Sequence, residues 1–453
     1  LYVCNMFYLF INETMERKKY FIVFILSALC HIGLAQSLDK AKLDLYFETL
    51  ASNNKFMGSV AVSKDGQVIY TKSVGFADIE KGIKSDEKTK YRIGSISKTF
   101  TTVLVLKAVE EKKLNLNQQI NKYFPTIPNA DKITIKNLLN HRSGIHNFTD
   151  DSDYLTWNTT AKTEKEMIEI IRKAGSDFEP GTKAAYSNSN FVLLSYILEK
   201  VYGMPYAEVL QKKIIQPLGL KDTKLGGKIS SANNECSSYF WDGSWKKSSE
   251  TDMSIPMGAG GIISTPTDLV QFSDALFGGK LMSASSVEIM KTMEDNFGAG
   301  LFKFPFYDKA SYGHTGGIDE FRSIFSYFPD GNYSYALTTN GINYDMNLIS
   351  LGVLSIMYDK PYSIPTFSNF AVSQEDLTSY VGEYSSAQLP LKITIRIQNN
   401  ALFAQATGQS AFPLEAVDKH KFKFDRAGIQ MEFNPVENKM VLKQGGGQFV
   451  FTK

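Results

Sequence analysis

The sequence predicts an α+β fold in which helices flank an antiparallel sheet and form an inserted helical lobe, followed by a small C-terminal all-β, barrel-like domain. Strand patterns lie at both ends of a mainly helical region, so the first and last segments are expected to share one sheet. A proline-containing stretch at residues 361–366 separates this region from short alternating runs. The chain of 453 residues is long enough for two or three domains. We therefore expect one domain over residues 36–362 and a second over residues 363–453.

The first 35 residues are expected to belong to neither domain. Basic residues follow Met15, an apolar run comes next, and small residues end the segment at Ala35, which is the pattern of a secretory signal peptide. Residues 1–14 resemble an upstream extension of the reading frame. The alternatives are a retained membrane anchor, for which the apolar run is short, and a lipoprotein modified at Cys30, which is less favoured because Leu29 precedes it. We expect a secreted or periplasmic protein without a stable membrane span after signal cleavage.

Composition and charge argue against several classes of partner and cofactor. The 49 lysine and arginine residues nearly balance the 47 acidic residues, and the net charge of +2 gives no electrostatic signature of nucleic-acid binding. A small-molecule or peptide-like substrate is expected instead. Beyond residue 35, Cys236 is the single cysteine, and the five histidines lack a metal-binding spacing, so no disulfide, metal or other cofactor is expected. Nothing in the sequence indicates an oligomeric state.

The elements that precede the helical lobe are predicted from their periodicity. Residues 38–50 have the apolar spacing of an amphipathic helix. Residues 56–62 and 67–70 read as strands, and the Asp65-Gly66 pair between them is typical of a hairpin turn. From Ser95 to about residue 112 the apolar positions fit a largely buried helix, which therefore begins at a serine.

The helical lobe is expected over residues 114–250, with helical patterns at residues 163–174 and 191–201. Residues 321–328 and 333–339 then predict two strands joined by a Pro-Asp-Gly turn, and residues 347–358 predict a closing helix. After the linker, short alternating runs predict a small β-sandwich or barrel. These runs occupy residues 391–397, 401–407, 420–424, 429–433, 439–442 and 449–452.

The segment Ser95-Ile96-Ser97-Lys98 places a hydroxyl and an amine three residues apart, one helical turn from each other on the same face. A free serine is a weak nucleophile, but a lysine that is buried enough to be partly neutral can accept its proton. The start of a helix also favours developing negative charge. Because such a tetrapeptide often arises by chance, the alternative is a capping serine beside a solvated lysine.

Two further segments follow in order: Tyr186-Ser187-Asn188, and His314-Thr315-Gly316-Gly317 just before a strand. Together the three segments resemble the motifs S-x-x-K, Y-x-N and K/H-T/S-G of the serine β-lactamase, penicillin-binding-protein and esterase superfamily. The resemblance spans residues 38 to about 358 and includes the segments 91–94, 138–145, 217–220 and 258–265. It implies a β-lactamase or transpeptidase-like fold for residues 36–362. Residues from about 380 onward resemble, more weakly, the lipocalin-like extensions of some members.

The resemblance also implies catalytic roles. Ser95 would attack a carbonyl to form an acyl-enzyme. Lys98 and Tyr186 would move the proton, and the lysine would lower the pKa of the Tyr186 phenol. The backbone N–H groups of Ser95 and Gly317 would form the oxyanion hole.

Substrate contacts are expected from Asn188, which would also hydrogen-bond the catalytic lysine, and from the strand residues His314, Thr315 and Gly316. His314 is a departure from the β-lactamases and DD-peptidases of this superfamily, which mostly have lysine there, whereas histidine is familiar among its esterase-like and aminopeptidase-like members. A lysine holds a fixed positive charge for a substrate carboxylate, whereas a histidine with a pKa near roughly 6.5 is mostly neutral at neutral pH. This departure argues against β-lactamase activity. The alternative is that His314 is only a packed strand residue.

For the other histidines we expect structural rather than catalytic roles. His141 is expected in a structural loop near the site, and His146 and His420 at the surface or in ordinary packing. Four aromatic side chains are expected to form either one wall of the cleft or part of the ordinary hydrophobic core: Tyr91, Phe148, Tyr154 and Trp157.

The leading hypothesis is a secreted serine hydrolase that cleaves an ester or amide bond through a covalent acyl-enzyme on Ser95, without a cofactor. A D-alanyl-D-alanine carboxypeptidase and a weak β-lactamase are alternatives that the motifs do not separate from an esterase. A rival of another class is a catalytically silent protein that binds or senses cell-wall fragments. The presence of Ser95 together with Lys98 and Tyr186 argues against that rival, because a binding protein needs no nucleophile with its base.

Overall fold

The computed structural model describes residues 38–453, except residues 368, 369, 371, 399 and 400. The predicted signal peptide and the extension before it therefore lie outside the described residues. Within the part of the chain that is described, no helix is long and apolar enough to cross a membrane.

The strands before the linker are β1 Phe56–Lys64, β2 Gln67–Val74, β3 Phe76–Asp78, β4 Ile83–Lys84, β5 Tyr91–Arg92, β6 Lys224–Leu225, β7 Tyr239–Trp241, β8 Trp245–Lys247, β9 Ile262–Ser264, β10 Phe302–Phe306, β11 Lys309–Ile318, β12 Phe321–Phe328 and β13 Tyr333–Ile342. The strands after it are β14 Gly382–Ser385, β15 Lys392–Gln398, β16 Ala401–Ala406, β17 Phe412–Asp418, β18 Lys421–Phe424, β19 Ile429–Asn434, β20 Lys439–Gln444 and β21 Gly447–Thr452.

The helices are α1 Lys40–Ser52, α2 Ser97–Glu110, α3 Ile135–Leu139, α4 Tyr154–Trp157, α5 Glu164–Ala174, α6 Asn188–Tyr202, α7 Tyr206–Leu210, α8 Gln216–Leu218, α9 Met257–Gly260, α10 Pro266–Phe277, α11 Ala284–Lys291, α12 Met346–Met357 and α13 Gln374–Tyr380. A π-helical turn, Gln211–Ile215, joins α7 to α8.

The central sheet confirms the α+β prediction. Its strand order is β10-β11-β12-β13-β1-β2, and each neighbouring pair is antiparallel. Strand β13 pairs with both β12 and β1, so the first and last segments share one sheet as predicted. The β1–β2 hairpin turns at Asp65 and Gly66, which both have positive φ, at 52° and 77°. That conformation is the reason an Asp-Gly pair predicts a hairpin.

Helices cover both faces of the central sheet. On one face, α10 packs on β1, β12 and β13, and its core includes the stacked rings of Phe100 and Phe272, 3.8 Å apart. On the other face, α1 and α12 pack around Tyr46 and Tyr335. Every residue of β13 is buried, as expected for a strand between two helical layers.

The helical lobe holds α3 to α8, within the predicted range. Helix α5 begins with a capping box, in which the Thr163 side chain accepts from the Glu166 N–H and the Glu166 side chain accepts from the Thr163 N–H. Strands β5, β9 and β6 form a small separate sheet in the order β5-β9-β6, and β5 ends shortly before Ser95.

The strands after the linker close into an eight-stranded barrel, β14 to β21. The barrel, not the sandwich, is therefore the correct alternative. Periodicity missed β14 and β17. In β17, Pro413 lacks an N–H donor and weakens the strand pattern. The predicted linker, residues 361–366, has neither helix nor strand.

The barrel contacts the rest of the molecule through a buried cation. Lys55, next to the start of β1, forms ion pairs with Glu415 and Asp425 of the barrel, the second at 3.3 Å. Its side chain is only 5% exposed. The division of the chain at residue 362 stays a prediction.

Candidate active site

Ser95 lies in a single 3-10 turn, Gly94–Ile96, that leads directly into α2. Gly94 has a φ of +50°, and a Cβ at this position would lie 2.7 Å from the backbone nitrogen of Gly317. Glycine is needed there because the residue combines a left-handed conformation with close contact to β11. This contact places Ser95 beside the strand residue that was predicted to share its oxyanion hole.

Lys98 lies one helical turn after Ser95, and its side chain is fully buried. Its Nζ lies 2.9 Å from Ser95 Oγ, and it donates at 2.7 Å to both Asn188 Oδ1 and the Ala259 carbonyl oxygen. Burial disfavours the ammonium form and lowers the pKa of Lys98 well below its usual range. A neutral amine fits these contacts, because it has two N–H donors for the two carbonyl oxygens and a lone pair for the serine hydroxyl.

The phenol of Tyr186 is the second group at the predicted nucleophile, since its hydroxyl donates to Ser95 Oγ at 2.7 Å. Burial raises the pKa of this phenol, and the hydrogen bond to Ser95 opposes that rise only in part. The expectation that Lys98 lowers the phenol pKa is therefore wrong. A buried lysine that is kept neutral offers no positive charge to stabilise a phenolate. Tyr186 is a protonated donor in the resting site.

The side-chain amide of Asn188 is held from both ends. Its Oδ1 accepts from Lys98, while its Nδ2 donates to Asn147 Oδ1 at 3.1 Å and to Thr149 Oγ1 at 3.0 Å. Asn147 Oδ1 also accepts from the Asn188 backbone N–H at 2.9 Å. These partners are consistent with one orientation of the amide, with its carbonyl toward the lysine. Sequence reasoning missed Asn147 and Thr149, and their signal was only that they closely follow the matched segment 138–145.

Strand β11 carries the segment that was predicted to border the site. On one side it pairs with β12 along residues 312–318, whereas on the other side β10 pairs only as far as Gly313. Among the described strands, the edge of β11 over residues 314–318 is therefore open. A Cβ on Gly316 would lie 2.0 Å from the Ile93 carbonyl oxygen. Glycine thus allows this strand to pass close to the turn that holds Ser95.

His314 is buried at 2% exposure, and its ring centroid lies 4.7 Å from that of Phe302. Its Nδ1 lies 2.5 Å from the Thr315 carbonyl oxygen, so Nδ1 carries the proton in this contact. Burial lowers the pKa of His314 to about 3. The imidazole is therefore neutral at physiological pH, and its protonation needs a much lower pH than that of an exposed histidine.

A cavity of about 360 Å³ opens in front of Ser95. Asn188 and Gly317 line it, whereas His314, Thr315 and Gly316 do not, so contact of these three residues with substrate stays a prediction. Of the expected aromatic wall, Phe148 and Tyr154 line the cavity; Tyr91 belongs to a small separate core, and Trp157 packs behind the other two. The remaining lining residues are Thr149, Leu155, Asn158, Ser248, Ser249, Thr251, Pro256, Ala259, Gly260, Ile318, Asp319 and Glu320.

A buried ion pair lies at one end of this cavity. Arg92 Nη1 is 2.8 Å from Asp319 Oδ2, and Arg92 Nη2 is 3.0 Å from Glu250 Oε1. The other oxygen of Asp319 accepts from the backbone N–H and the hydroxyl of Thr251. The sequence marked Arg92 only as part of a matched segment and gave no signal for Asp319, because the two residues meet only in the folded chain.

The other histidines in the described part of the chain lie around the site and in the barrel. His141 is buried, its Nδ1 accepts from the Ser187 backbone N–H at 3.1 Å, and its ring stacks on Tyr186 at 4.5 Å. Burial lowers its pKa well below the usual range, so it is a neutral packing residue of a loop, as expected. His146 is half-buried beside two surface aspartates, and His420 lies 2.9 Å from the Tyr380 hydroxyl in the barrel.

Comparisons with known proteins agree with this geometry. A family model described as Beta-lactamase matches residues 48–347. The teichoic acid D-alanine hydrolase of Staphylococcus aureus (strain MRSA252) is 30% identical over 308 residues, which are 66% of this chain and 73% of that protein. The crystal structure of a D-stereospecific amidohydrolase from Streptomyces sp. is 29% identical, covers 67% of this chain and 95% of its own, and superposes with a TM-score of 0.59.

One similarity extends over the barrel as well. The octameric penicillin-binding protein homologue from Pyrococcus abyssi covers 90% of this chain and 99% of its own, with a TM-score of 0.63. At 24% identity, this similarity shows a shared fold and nothing further.

Proposed function

The chain belongs to the Beta-lactamase family and is a serine hydrolase, and on that premise we propose that it cleaves D-aminoacyl esters or amides through an acyl-enzyme on Ser95. The observation that carries the proposal is the pair of contacts at Ser95 Oγ, where Lys98 Nζ lies at 2.9 Å and the Tyr186 hydroxyl at 2.7 Å. A nucleophile between a neutral amine and a protonated phenol has a base and an acid already in place.

Acylation begins when Ser95 Oγ attacks the substrate carbonyl and its proton passes to neutral Lys98. The backbone N–H groups of Ser95 and Gly317 stabilise the resulting oxyanion; the loss of one such donor in comparable hydrolases costs roughly 3 kcal/mol. Tyr186 then gives its proton to the leaving oxygen or nitrogen as the bond to the acyl carbon breaks. The Lys98 ammonium returns a proton to the phenolate, so the net transfer is from serine to leaving group.

Deacylation uses the same groups with water as the nucleophile. Lys98, neutral again, accepts a proton from water through the hydrogen-bonded groups around Ser95, and water attacks the acyl carbon. The Lys98 ammonium then gives a proton to Ser95 Oγ, which leaves as the alcohol when its bond to the acyl carbon breaks, and the acid product departs. The enzyme thus returns to the state in which Lys98 is neutral and Tyr186 is protonated.

Two observations support a D-aminoacyl substrate over the alternatives. The Staphylococcus aureus relative is a teichoic acid D-alanine hydrolase and the Streptomyces relative a D-stereospecific amidohydrolase. In addition, His314 stands where β-lactamases and DD-peptidases mostly have lysine, and it is neutral and buried, so it supplies no positive charge for a substrate carboxylate. β-Lactams and D-alanyl-D-alanine peptides both carry that carboxylate. The D-alanyl-D-alanine carboxypeptidase and β-lactamase alternatives are therefore less well supported.

We further propose that residues 36–362 form the catalytic domain, that residues 363–453 form a separate domain, and that the protein acts outside the cytoplasm. The irregular linker at residues 361–366 supports the division. The signal-peptide pattern from Met15 to Ala35 supports secretion.

Intact-mass spectrometry tests the nucleophile. The protein and a Ser95→Ala variant are incubated with a fluorophosphonate, a penicillin and a D-alanyl ester, and ester turnover is followed alongside. One fluorophosphonate per chain and ester turnover are expected, and both should be lost in Ser95→Ala. A Ser285→Ala variant, which changes an exposed serine of α11, should still be labelled. Absence of any adduct and any turnover would revive the alternative of a silent binding protein.

A further inference from the structure

Asn158, which caps the C-terminal end of α4, is a buried asparagine in the wall of the cavity in front of Ser95. The residue is 5% exposed, and its backbone carbonyl oxygen accepts from the Asp252 N–H at 2.9 Å. This bond ties the end of α4 to the segment that carries Thr251, a second residue of the same wall. The proton transfers at Ser95 do not involve the Asn158 side chain, so its place in the wall calls for another role.

A chain of hydrogen bonds fixes the orientation of the Asn158 amide. Asn158 Nδ2 donates to Thr251 Oγ1 at 3.0 Å, and Thr251 Oγ1 donates to Asp319 Oδ1 at 2.7 Å. The Asp319 carboxylate, which is paired with Arg92, is an acceptor. Because the single hydroxyl proton of Thr251 goes to Asp319, the hydroxyl oxygen can only accept from Asn158. The amide nitrogen therefore faces Thr251, and Oδ1 faces away from it.

The oxygen of this oriented amide is an acceptor that remains available. Among the described residues, no N–H or O–H group donates to Asn158 Oδ1, and the atom is not sealed from solvent as the unpaired Asn340 Oδ1 is. Since Asn158 is almost fully buried and lines the cavity, the solvent that reaches Oδ1 is the solvent of the cavity. A ligand that fills this space displaces that solvent and is favoured when it brings a hydrogen-bond donor.

The proposed substrates bring a donor close to the scissile bond. In a D-aminoacyl ester or amide, the α-nitrogen is attached to the carbon next to the carbonyl that Ser95 attacks. This nitrogen carries N–H groups both as an ammonium and as an amine, and every member of the class has it, whereas leaving groups differ. The cavity of about 360 Å³ is small, so an acyl group held at Ser95 lies close to its walls.

We propose that Asn158 is a specificity-determining residue whose Oδ1 accepts a hydrogen bond from the α-nitrogen of a D-aminoacyl substrate. The inference rests on the proposed function and makes it more specific, because it assigns the recognition of the α-nitrogen to one residue of the helical lobe. An acyl group without a donor at this place leaves Oδ1 desolvated and unpaired, and the enzyme therefore discriminates against it.

The test compares the benzyl esters of D-alanine and of propionic acid, which differ only in the α-amino group and share a leaving group without a donor. In the wild type, kcat/KM should be higher for the D-alanyl ester. Asn158→Ala should reduce the ratio of the two kcat/KM values about tenfold, as expected for one hydrogen bond to a charged group. Asn158→Leu, which keeps the side-chain volume, should do the same. Asn340→Ala, which removes a buried asparagine of β13 outside the cavity, should leave the ratio unchanged.

The ratio separates a substrate contact from a loss of structure, because a damaged fold slows the cleavage of both esters alike. Fluorophosphonate labelling of Ser95 checks that each variant keeps a folded site, and Asn158→Leu supplies the ratio where Asn158→Ala does not fold. Labelled, active Asn158 variants with the wild-type ratio overturn the role of Asn158 alone. An active wild type that cleaves both esters equally well does so too. A wild type that is neither labelled nor active overturns the proposed function, and this inference with it.

Discussion

Arg92 and Asp319 form a buried ion pair, 2.8 Å between Nη1 and Oδ2, that joins the two backbone segments of the predicted oxyanion hole. Arg92 precedes Ser95 by three residues, and Asp319 follows Gly317 by two. Both side chains are 2% exposed. The pair therefore holds the turn that contains Ser95 and the end of β11 at a fixed separation, while Gly94 and Gly316 allow the two segments to touch.

Breaking this pair should destabilise the fold. In Asp319→Asn, the buried guanidinium of Arg92 loses one of its two carboxylate partners. We expect the free energy of unfolding to fall by about 3 kcal/mol. This value is at the low end of the range for a broken buried ion pair, because Glu250 remains as a partner of Arg92. Urea unfolding followed by circular dichroism measures this change. Fluorophosphonate labelling of Ser95 should slow as well. The exposed pair of Arg172 and Glu169 is the control, since Glu169→Gln should have no measurable effect. Equal stability of Asp319→Asn and wild type would contradict this account.

The role of Tyr186 as an acid predicts a dependence on the leaving group. Tyr186→Phe keeps the ring that stacks on His141 but removes the hydroxyl that donates to Ser95 Oγ. We expect kcat/KM for a D-alanyl anilide or alkyl ester to fall by about 10²- to 10⁴-fold, because these leaving groups need a proton. A p-nitrophenyl ester, whose leaving group departs as a stable anion, should lose much less. Equal losses on both substrates would show instead that Tyr186 acts in the attack of Ser95.

Local patterns explain which parts of the molecule were predictable. The Asp65-Gly66 hairpin and the helix after Ser95 follow from turn chemistry and periodicity, and the motif segments 95–98, 186–188 and 314–317 come together around one cavity or its immediate border. Asn147 and Asp319 escaped prediction because their significance depends on partners that are distant in sequence. The pKa of Tyr186 was misjudged because the sequence does not show how deeply a side chain is buried, and burial decides whether Lys98 carries a charge.

The burial of Lys98 leads to a prediction for the acid limb of the pH profile, the range in which activity falls as the pH drops. Lys98 must be neutral to accept the proton of Ser95, so kcat/KM for a neutral p-nitrophenyl ester should fall as the pH drops through the pKa of Lys98. Because burial lowers that pKa well below the usual value for lysine, the activity should already be high at neutral pH, where an exposed lysine would be almost fully protonated. His314 has a pKa of about 3 and should not shape this limb. A His314→Gln variant is the control and should keep the midpoint. Activity that appears only near pH 10 would contradict a neutral lysine base.

Asn147 is predicted to act through Asn188, as a positioning residue. Its Oδ1 accepts two hydrogen bonds from Asn188, one from the backbone N–H at 2.9 Å and one from the side-chain Nδ2 at 3.1 Å. These bonds direct the side-chain carbonyl of Asn188 toward Lys98. In Asn147→Ala, we expect kcat for a D-alanyl ester to fall about tenfold, the equivalent of one hydrogen bond. Asn147→Asp restores the acceptor and should recover part of the activity.

A shift in the pH profile separates this role from a general loss of structure. The carboxylate in Asn147→Asp adds negative charge near Lys98, which favours the ammonium form, so the acid limb should move to higher pH. A merely destabilised loop would lower activity at every pH without moving the midpoint. Asn121→Ala, which changes an exposed asparagine elsewhere in the helical lobe, should alter neither kcat nor the midpoint. An unchanged midpoint in Asn147→Asp, together with equal losses in both Asn147 variants, would mean that Asn147 serves only the fold of its loop.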